Sequence, residues 1–159
     1  MDWTRAVVLE LDELERAPLG IARSAAVEQV VRRIETEGPA GLLARGYANL
    51  VRSYVWGGEV EKAFVPFTRW LRHYDEHPEL FTPDDSESMF WSFRWMVSRC
   101  MDFPQVPFEQ IEATLADMER RYAVAGLAMD AVRLDQFHWA WLQGSPETEQ
   151  KYWEWVRTP

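Results

Sequence analysis

The sequence predicts an all-α protein, and three observations support this class. Apolar residues recur at helical spacing along most of the chain, Pro and Gly fall between these periodic segments, and no segment has the pattern of a strand. Apolar residues make up 47% of the 159 residues, which is enough to build a sizeable core. We therefore expect a single domain over residues 1–159, built from eight helices that pair into four antiparallel hairpins.

The first hairpin is predicted over residues 2–37, with helices at 2–16 and 22–37. Pro18 and Gly20 separate the two helices because neither residue readily continues one. The apolar face of the first helix is formed by residues at helical spacing, namely Trp3, Val7, Leu11 and Leu14.

The second hairpin is predicted over residues 40–76, with helices at 40–56 and 59–76. Gly57 and Gly58 lie between the two helices. They permit a tight reversal because glycine adopts positive φ angles without steric cost.

An acidic, proline-containing stretch at 77–88 is the one irregular segment, and its last residues overlap the start of the third hairpin, predicted over 84–123. Thr82 fits the N-cap of the next helix, with Pro83 at its first position and Asp84 and Asp85 in its first turn. That helix is expected to run to about residue 102.

The chain continues with a predicted helix at 107–123, which Gly126 ends. The fourth hairpin is predicted over 127–157. Its first helix runs to residue 143 and is ended by Gly144. Its second helix is expected to begin at Ser145-Pro146-Glu147, because Ser is a favoured N-cap residue and Pro is favoured at the first helical position.

An internal repeat connects the four hairpins. The second helix of each pair has contact positions at i, i+4 and i+7, which form one stripe that must be buried. Corresponding stripes recur at offsets of 36, 48 and 37 residues, and the insertion at 77–88 explains the longer offset. A lone hairpin cannot bury such a stripe, whereas a stack of hairpins can. The stripes are Val27, Val31, Ile34; Ala63, Phe67, Trp70; Ile111, Leu115, Met118; and Thr148, Tyr152, Trp155.

One segment resembles a known repeat family. The order and spacing of a tetratricopeptide repeat are matched by Tyr47, Leu50, Tyr54, Gly58, Ala63 and Phe67. Tyr47 stands where Trp is usual, and Trp70 stands where a small Ala is usual, which suggests a locally splayed packing. The whole chain is also similar to tetratricopeptide-like proteins of actinobacterial type. The resemblance implies a right-handed superhelix that is not an enzyme and binds a peptide or helix of a partner protein in a concave groove.

The resemblance also implies which residues line that groove. They are Arg45, Ala48, Arg52, Val55 and Trp56 in the best-matched repeat and, by looser registers, Trp95, Arg99, Val132, Gln136 and Trp139. Arg beside Trp suits a partner because the guanidinium fork binds carboxylates and the indole ring supplies apolar area. The alternative is that the Arg side chains pair with nearby acids and the Trp rings fill the core.

A second hypothesis is a zinc-dependent hydrolase. The segment His73-Tyr74-Asp75-Glu76-His77 reads as H-x-x-E-H, a pattern that resembles the inverzincin motif, with Glu76 as base and Glu154 as a third ligand. The motif ends just before a proline, and the α/β context of those enzymes is missing. We favour a solvated helix C-terminus, where histidine complements the dipole, and we expect no catalytic residue, metal or cofactor.

A third hypothesis is a small-ligand-sensing helical domain that encloses its ligand near Trp91 and Trp95, although a hydrophobic core gives the same signal. Two further residues are expected to belong to the core. Cys100, the only cysteine, is expected to be a buried and inert thiol, and His138 a hydrogen-bonded core histidine.

Composition limits the partners and the compartment. The net charge of −9 disfavours nucleic-acid binding because phosphates are repelled. The acidic, amphipathic N-terminus is unlike a signal peptide, and no run approaches the ~18 apolar residues of a membrane span. A single cysteine excludes an intrachain disulfide. We expect a cytoplasmic protein with no membrane partner.

The predicted last helix is rich in aromatic residues, whereas solenoids normally finish with a polar capping helix. We therefore expect either further repeats in a longer natural protein or self-association of copies of this chain through residues 145–157.

Overall fold

The computed structural model describes residues 2–145, 147, 150, 153, 154 and 157, and within them the protein is all-α. This part of the chain holds seven α-helices and no strand, so the predicted class is confirmed and the predicted count of eight is wrong. The predicted eighth helix, within 145–157, lies mostly outside the described residues. The helices are α1 (Trp3–Arg16), α2 (Ile21–Glu37), α3 (Leu43–Gly57), α4 (Val60–Glu76), α5 (Pro83–Cys100), α6 (Phe108–Ala125) and α7 (Asp130–Leu142).

Two helix starts differ from the prediction for local reasons. A 3-10 turn at Ala40–Leu42 precedes α3, so the α-helical bonding begins three residues later than predicted. Helix α7 begins at Asp130 because the preceding residues close α6: Gly126 has a left-handed conformation, and the Leu127 amide donates to the Tyr122 carbonyl at 3.0 Å.

The predicted turn and cap residues occupy their expected roles. Gly58 has φ +88°, and the amide of the following residue, Glu59, donates back to the Tyr54 carbonyl. At the start of α5 the Thr82 hydroxyl accepts from the Asp85 amide at 3.2 Å, while the Asp85 carboxylate accepts from the Thr82 amide at 3.0 Å. This reciprocal pair satisfies two backbone donors at the helix start, as in a capping box.

The chain divides into two compact units, Met1–Ser92 and Phe93–Pro159, with the boundary inside α5. In the first unit α3 packs against both α2 and α4. One of its core clusters joins α1 to α2 through Val7, Leu11, Val30 and Ile34. In the second unit α6 packs against α7.

Three of the four predicted stripes are buried. The nine stripe residues on α2, α4 and α6 are each at most 5% exposed. Trp70 is completely buried and meets Phe67 edge-to-face, with ring centroids 6.4 Å apart. The fourth stripe, Thr148, Tyr152 and Trp155, lies outside the described residues. The stripes therefore form core in the described helices, as their spacing requires.

Among the described residues, no helix is both long enough and apolar enough to cross a membrane.

Candidate functional site

The predicted groove residues of α3 divide between exposed and engaged positions. Arg52 is exposed and Trp56 is 51% exposed, whereas Val55 is buried. Arg45 donates to Asp12 and, over 3.0 Å, to Glu15 of α1. Hydrogen bonding with Glu15 raises the pKa of Arg45 further above its ordinary value. For Arg45 the alternative prediction, pairing with nearby acids, is therefore the one that the structure shows.

Arg52 and Trp56 are four residues apart and share one face of α3. Among the described residues, no side chain forms a hydrogen bond or ion pair with Arg52. An exposed guanidinium beside an exposed indole leaves both groups accessible to a partner.

A buried polar group lies near Arg52. Arg23 is 5% exposed and donates to the Asn49 side-chain oxygen at 2.9 Å and to the Ala17 carbonyl at 3.1 Å. The remaining donors, Arg23 Nε and Asn49 Nδ2, are buried and meet no acceptor within the described part of the chain. Burial, followed by the nearby charge of Arg52, lowers the pKa of Arg23. Hydrogen-bond donors thus exceed acceptors at this position.

The predicted groove residues of the second unit are mostly engaged as well. Arg99 donates to Asp102 at 3.1 Å, and Gln136 donates to Glu119 at 3.0 Å. Trp139 is 7% exposed and packs edge-to-face on Phe108. Val132 is fully buried, and Trp95 is half-buried.

The zinc hypothesis gains no support from the geometry. Within the described residues no three His, Cys, Asp or Glu side chains form a group that could hold a metal ion. His73 is buried rather than solvated, and its Nε2 is 3.0 Å from the Ala40 carbonyl oxygen. His77 is exposed, with its Nδ1 3.4 Å from Glu79. Of these two histidines, only His77 has the solvated position that we predicted for this helix C-terminus.

The aromatic segment of α5 does not enclose a ligand around Trp91, whose side chain is 57% exposed. Buried residues of this helix include Phe90 and Phe93. Cys100 is buried, and burial raises the pKa of its thiol to about 11, which agrees with the predicted inert thiol. His138 is half-buried beside Trp141.

A cleft of about 580 Å³ opens between α2 and α4, with α3 as its floor. The same residue types recur seven positions apart on each of the three helices, which places each pair on one face. The pairs are Glu28 and Glu35 on α2, Tyr47 and Tyr54 on α3, and Lys62 and Arg69 on α4. Each end of the cleft therefore combines one carboxylate, one phenol and one cation of α4, and Arg32 of α2 adds a second cation at the Glu28 end.

The two carboxylates of the cleft are already engaged. Glu35 accepts from the Tyr47 hydroxyl at 2.7 Å and from Arg69 at 2.9 Å. Glu28 accepts from Arg32 at 2.6 Å. Burial raises the pKa of Glu28, but hydrogen bonds with Arg32 and Tyr54 outweigh it, so the pKa lies below its ordinary value. Glu28 is consequently anionic at neutral pH.

The phenols stay protonated. Burial, and then hydrogen bonding with Glu28, raises the pKa of Tyr54 to about 12. The same two causes, with Glu35 as the partner, raise the pKa of Tyr47 well above its usual range. Both hydroxyls therefore remain donors to the carboxylates across the physiological pH range.

The middle of the cleft is apolar. Val31, Leu50 and Pro66 are buried there, and Val65 is 61% exposed at its edge. The predicted groove does not include this cleft: Tyr47, Leu50 and Tyr54 lie roughly opposite Arg45, Arg52 and Trp56 around α3. The seven-residue recurrence on three consecutive helices is the sequence signal that could have pointed to it.

No family model, no curated protein and no solved structure matches this chain. The tetratricopeptide resemblance stays a prediction that rests on the residues of 47–67.

Proposed function

We propose that this chain is a non-catalytic protein-interaction module of the cytoplasm, a right-handed stack of tetratricopeptide-like hairpins. Its partner is a peptide or helix that docks on the face of α3 carrying Arg52 and Trp56. The observation that carries this proposal is the accessible guanidinium of Arg52 beside a half-exposed indole ring. Aromatic and Arg side chains of this kind are the usual anchors of protein interfaces.

The chemistry of this face favours an anionic group on the partner. Among the described residues no side chain accepts a hydrogen bond from the exposed Arg52, and the buried cation Arg23 lies near it. A carboxylate can accept two parallel hydrogen bonds from one guanidinium. We therefore infer that the partner places a carboxylate at Arg52 and an apolar side chain at Trp56.

The test begins with a random peptide library selected on the immobilised protein. The selected peptides are then titrated by fluorescence anisotropy against wild type, Arg52→Glu and Trp56→Ala. Both variants should bind at least tenfold more weakly, because each removes an anchor and Arg52→Glu also repels a carboxylate.

Arg72→Glu is the matched control, because Arg72 is also an exposed arginine without a hydrogen bond or ion pair to the described residues, and it lies on α4. It should bind as wild type does. Equal affinity of Arg52→Glu and wild type for every selected peptide would rule out this face as the docking site.

A further inference from the structure

We propose that the cleft between α2 and α4 is a second binding site, separate from the Arg52 face, and that it takes an acidic peptide segment in an extended conformation. The segment places one carboxylate at each end of the cleft and an apolar side chain between them. This inference does not depend on the proposed function, because the two sites lie on roughly opposite sides of α3.

The arrangement of charge in the cleft favours an anionic occupant. Arg32, Lys62 and Arg69 have side chains that are 72%, 55% and 55% exposed, whereas those of Glu28 and Glu35 are 37% and 26% exposed. The carboxylates are thus recessed and engaged, while the cations form the rim. An approaching ligand therefore meets the cations of three ion pairs before it meets their carboxylates, Glu28, Glu35 and Glu59.

The cations keep donors for a ligand. Lys62 bonds Glu59, which is 9% exposed and fixes the ammonium at the rim, but an ammonium has three donors. Arg69 uses one terminal nitrogen for Glu35, and a guanidinium has five N–H groups. Each end of the cleft can therefore bind a carboxylate without losing its existing contacts.

The distance between the two ends sets the spacing of the ligand. Seven residues of helix span about 10.5 Å, which separates Lys62 from Arg69 along α4. A polyproline II segment advances about 9 Å in three residues and returns to the same side every third residue. Acidic residues at positions i and i+3 of such a segment therefore reach both ends. The two side chains between them point about 120° to either side of the acidic pair, so one of them can lie over Leu50 on the floor of the cleft.

The cleft favours a peptide over a small dianion. Small-molecule sites are mostly apolar and enclose their ligands, whereas this cleft has a charged, largely exposed rim. Pro66 lies inside α4, so the carbonyl of Lys62 receives no N–H from the residue four positions later. A peptide N–H is the kind of donor that this carbonyl lacks, and a small dianion has none.

A fluorescein-labelled peptide with the core Glu-Pro-Val-Glu is the probe. It should bind wild type with an affinity that falls as NaCl rises, and a Gln-Pro-Val-Gln peptide should bind at least tenfold more weakly. The variants Lys62→Gln and Arg69→Gln should each weaken binding of the acidic peptide by about tenfold, the loss of one charge-assisted contact. Arg72→Gln, on the same helix but outside the lining, should leave binding unchanged.

The two peptide controls use wild-type protein, so a folding defect in a variant does not affect them. Equal binding of the acidic and neutral peptides, or no binding up to about 1 mM, overturns the inference. Suberate, a linear dicarboxylate, is added as a competitor; if it binds as tightly as the peptide, the cleft takes a small dianion and the peptide assignment is wrong. Arg52→Glu should bind the acidic peptide as wild type does, because Arg52 lies outside the cleft. The experiment can therefore refute the cleft proposal without refuting the Arg52 proposal, and the reverse.

Discussion

The Nε2 atom of His73 lies 3.0 Å from the carbonyl oxygen of Ala40, which joins the last turn of α4 to the 3-10 turn before α3. A carbonyl only accepts, so the imidazole donates from Nε2. Burial is the main influence on the pKa of His73 and lowers it, although the hydrogen bond to Ala40 opposes that effect. The neutral ring is therefore the form that the folded protein favours.

The first prediction concerns the pH dependence of stability. Because the pKa of His73 is lower in the folded state than the ~6.5 of the unfolded chain, the unfolded state binds more protons below that pH. The free energy of unfolding should therefore fall as the pH is lowered from about 7.5 through 6.5 towards the folded pKa. His73→Gln keeps a donor but does not titrate, so its stability should approach that of wild type as the pH falls.

Urea denaturation at pH 7.5, 6.5 and 5.5 measures this difference. His77→Gln is the comparison variant: the charge of His77 is a lesser cause of the lowered His73 pKa than burial, so this variant should keep most of the pH dependence of wild type. A stability gap between His73→Gln and wild type that is the same at all three pH values contradicts the prediction.

Helix positions and buried stripes could be predicted from the sequence because both depend on local spacing. The stripe through Val27, Val31 and Ile34 follows from helical periodicity, and the turn at Gly58 follows from the backbone freedom of glycine. The ion pairs of Arg45 could not be predicted from local spacing. Its partners are on α1, some 30 residues earlier, and only the packing of α1 on α3 brings them together.

The cleft between α2 and α4 was not predicted either, because it also depends on how separate helices pack. Tyr47 and Tyr54 fit a repeat signature as packing residues, and they are indeed about 5% exposed. Their hydroxyls nevertheless reach Glu35 and Glu28 on a neighbouring helix. Spacing within one helix identifies the buried face, but whether two helices on either side leave a cleft above it depends on their mutual packing.

The second prediction compares two tryptophans of the first unit. Trp70 is 0% exposed and Trp56 is 51% exposed. Trp70→Ala should lower the free energy of unfolding by about 3–5 kcal/mol because it leaves a large cavity, while Trp56→Ala should change it by less than about 0.5 kcal/mol. Circular dichroism during urea denaturation gives both values. Equal losses for the two variants would show that Trp70 is not a core residue.

Trp70→Phe should be intermediate between wild type and Trp70→Ala. The indole N–H of Trp70 is buried and meets no acceptor among the described residues, so phenylalanine removes no hydrogen bond there. A loss as large as that of Trp70→Ala would mean that an interaction of the indole N–H, rather than ring volume, accounts for its contribution.

The third prediction concerns the turn between α3 and α4. Gly58 has φ +88°, a conformation that disfavours any residue with a Cβ atom, although a Cβ there would meet no other atom within 4 Å. Gly58→Ala should therefore destabilise the protein by about 1–2 kcal/mol through backbone strain alone. Gly41→Ala is the matched control, because Gly41 also has open space around it and lacks a positive φ. The midpoint of urea denaturation should fall for Gly58→Ala only, and an equal shift in both variants would exclude strain as the cause.

The fourth prediction concerns a buried carboxyl group of the second unit. Asp135 is 4% exposed, accepts from the Ser98 hydroxyl at 3.3 Å and lies 4.0 Å from Arg94 Nε. Burial raises its pKa, and the opposing influences of Arg94, Ser98 and His138 do not cancel that effect. A group whose pKa is raised on folding contributes stability at low pH that is lost as the pH rises through the folded pKa. At pH 7 the ionised Asp135 is therefore a cost to the folded state.

Asp135→Asn should accordingly raise the melting temperature at pH 7, and the gain over wild type should shrink as the pH is lowered towards 4. Asp130→Asn is the matched control on the same helix. Asp130 is exposed at the first residue of α7, where the helix dipole stabilises a negative charge. Its replacement by Asn should therefore lower the free energy of unfolding by about 0.3–1 kcal/mol. Opposite signs for the two variants at pH 7 are expected because burial dominates at Asp135 and the helix dipole at Asp130. A fall in melting temperature for Asp135→Asn at pH 7 would mean that the attraction of Arg94 outweighs burial, contrary to the direction inferred here.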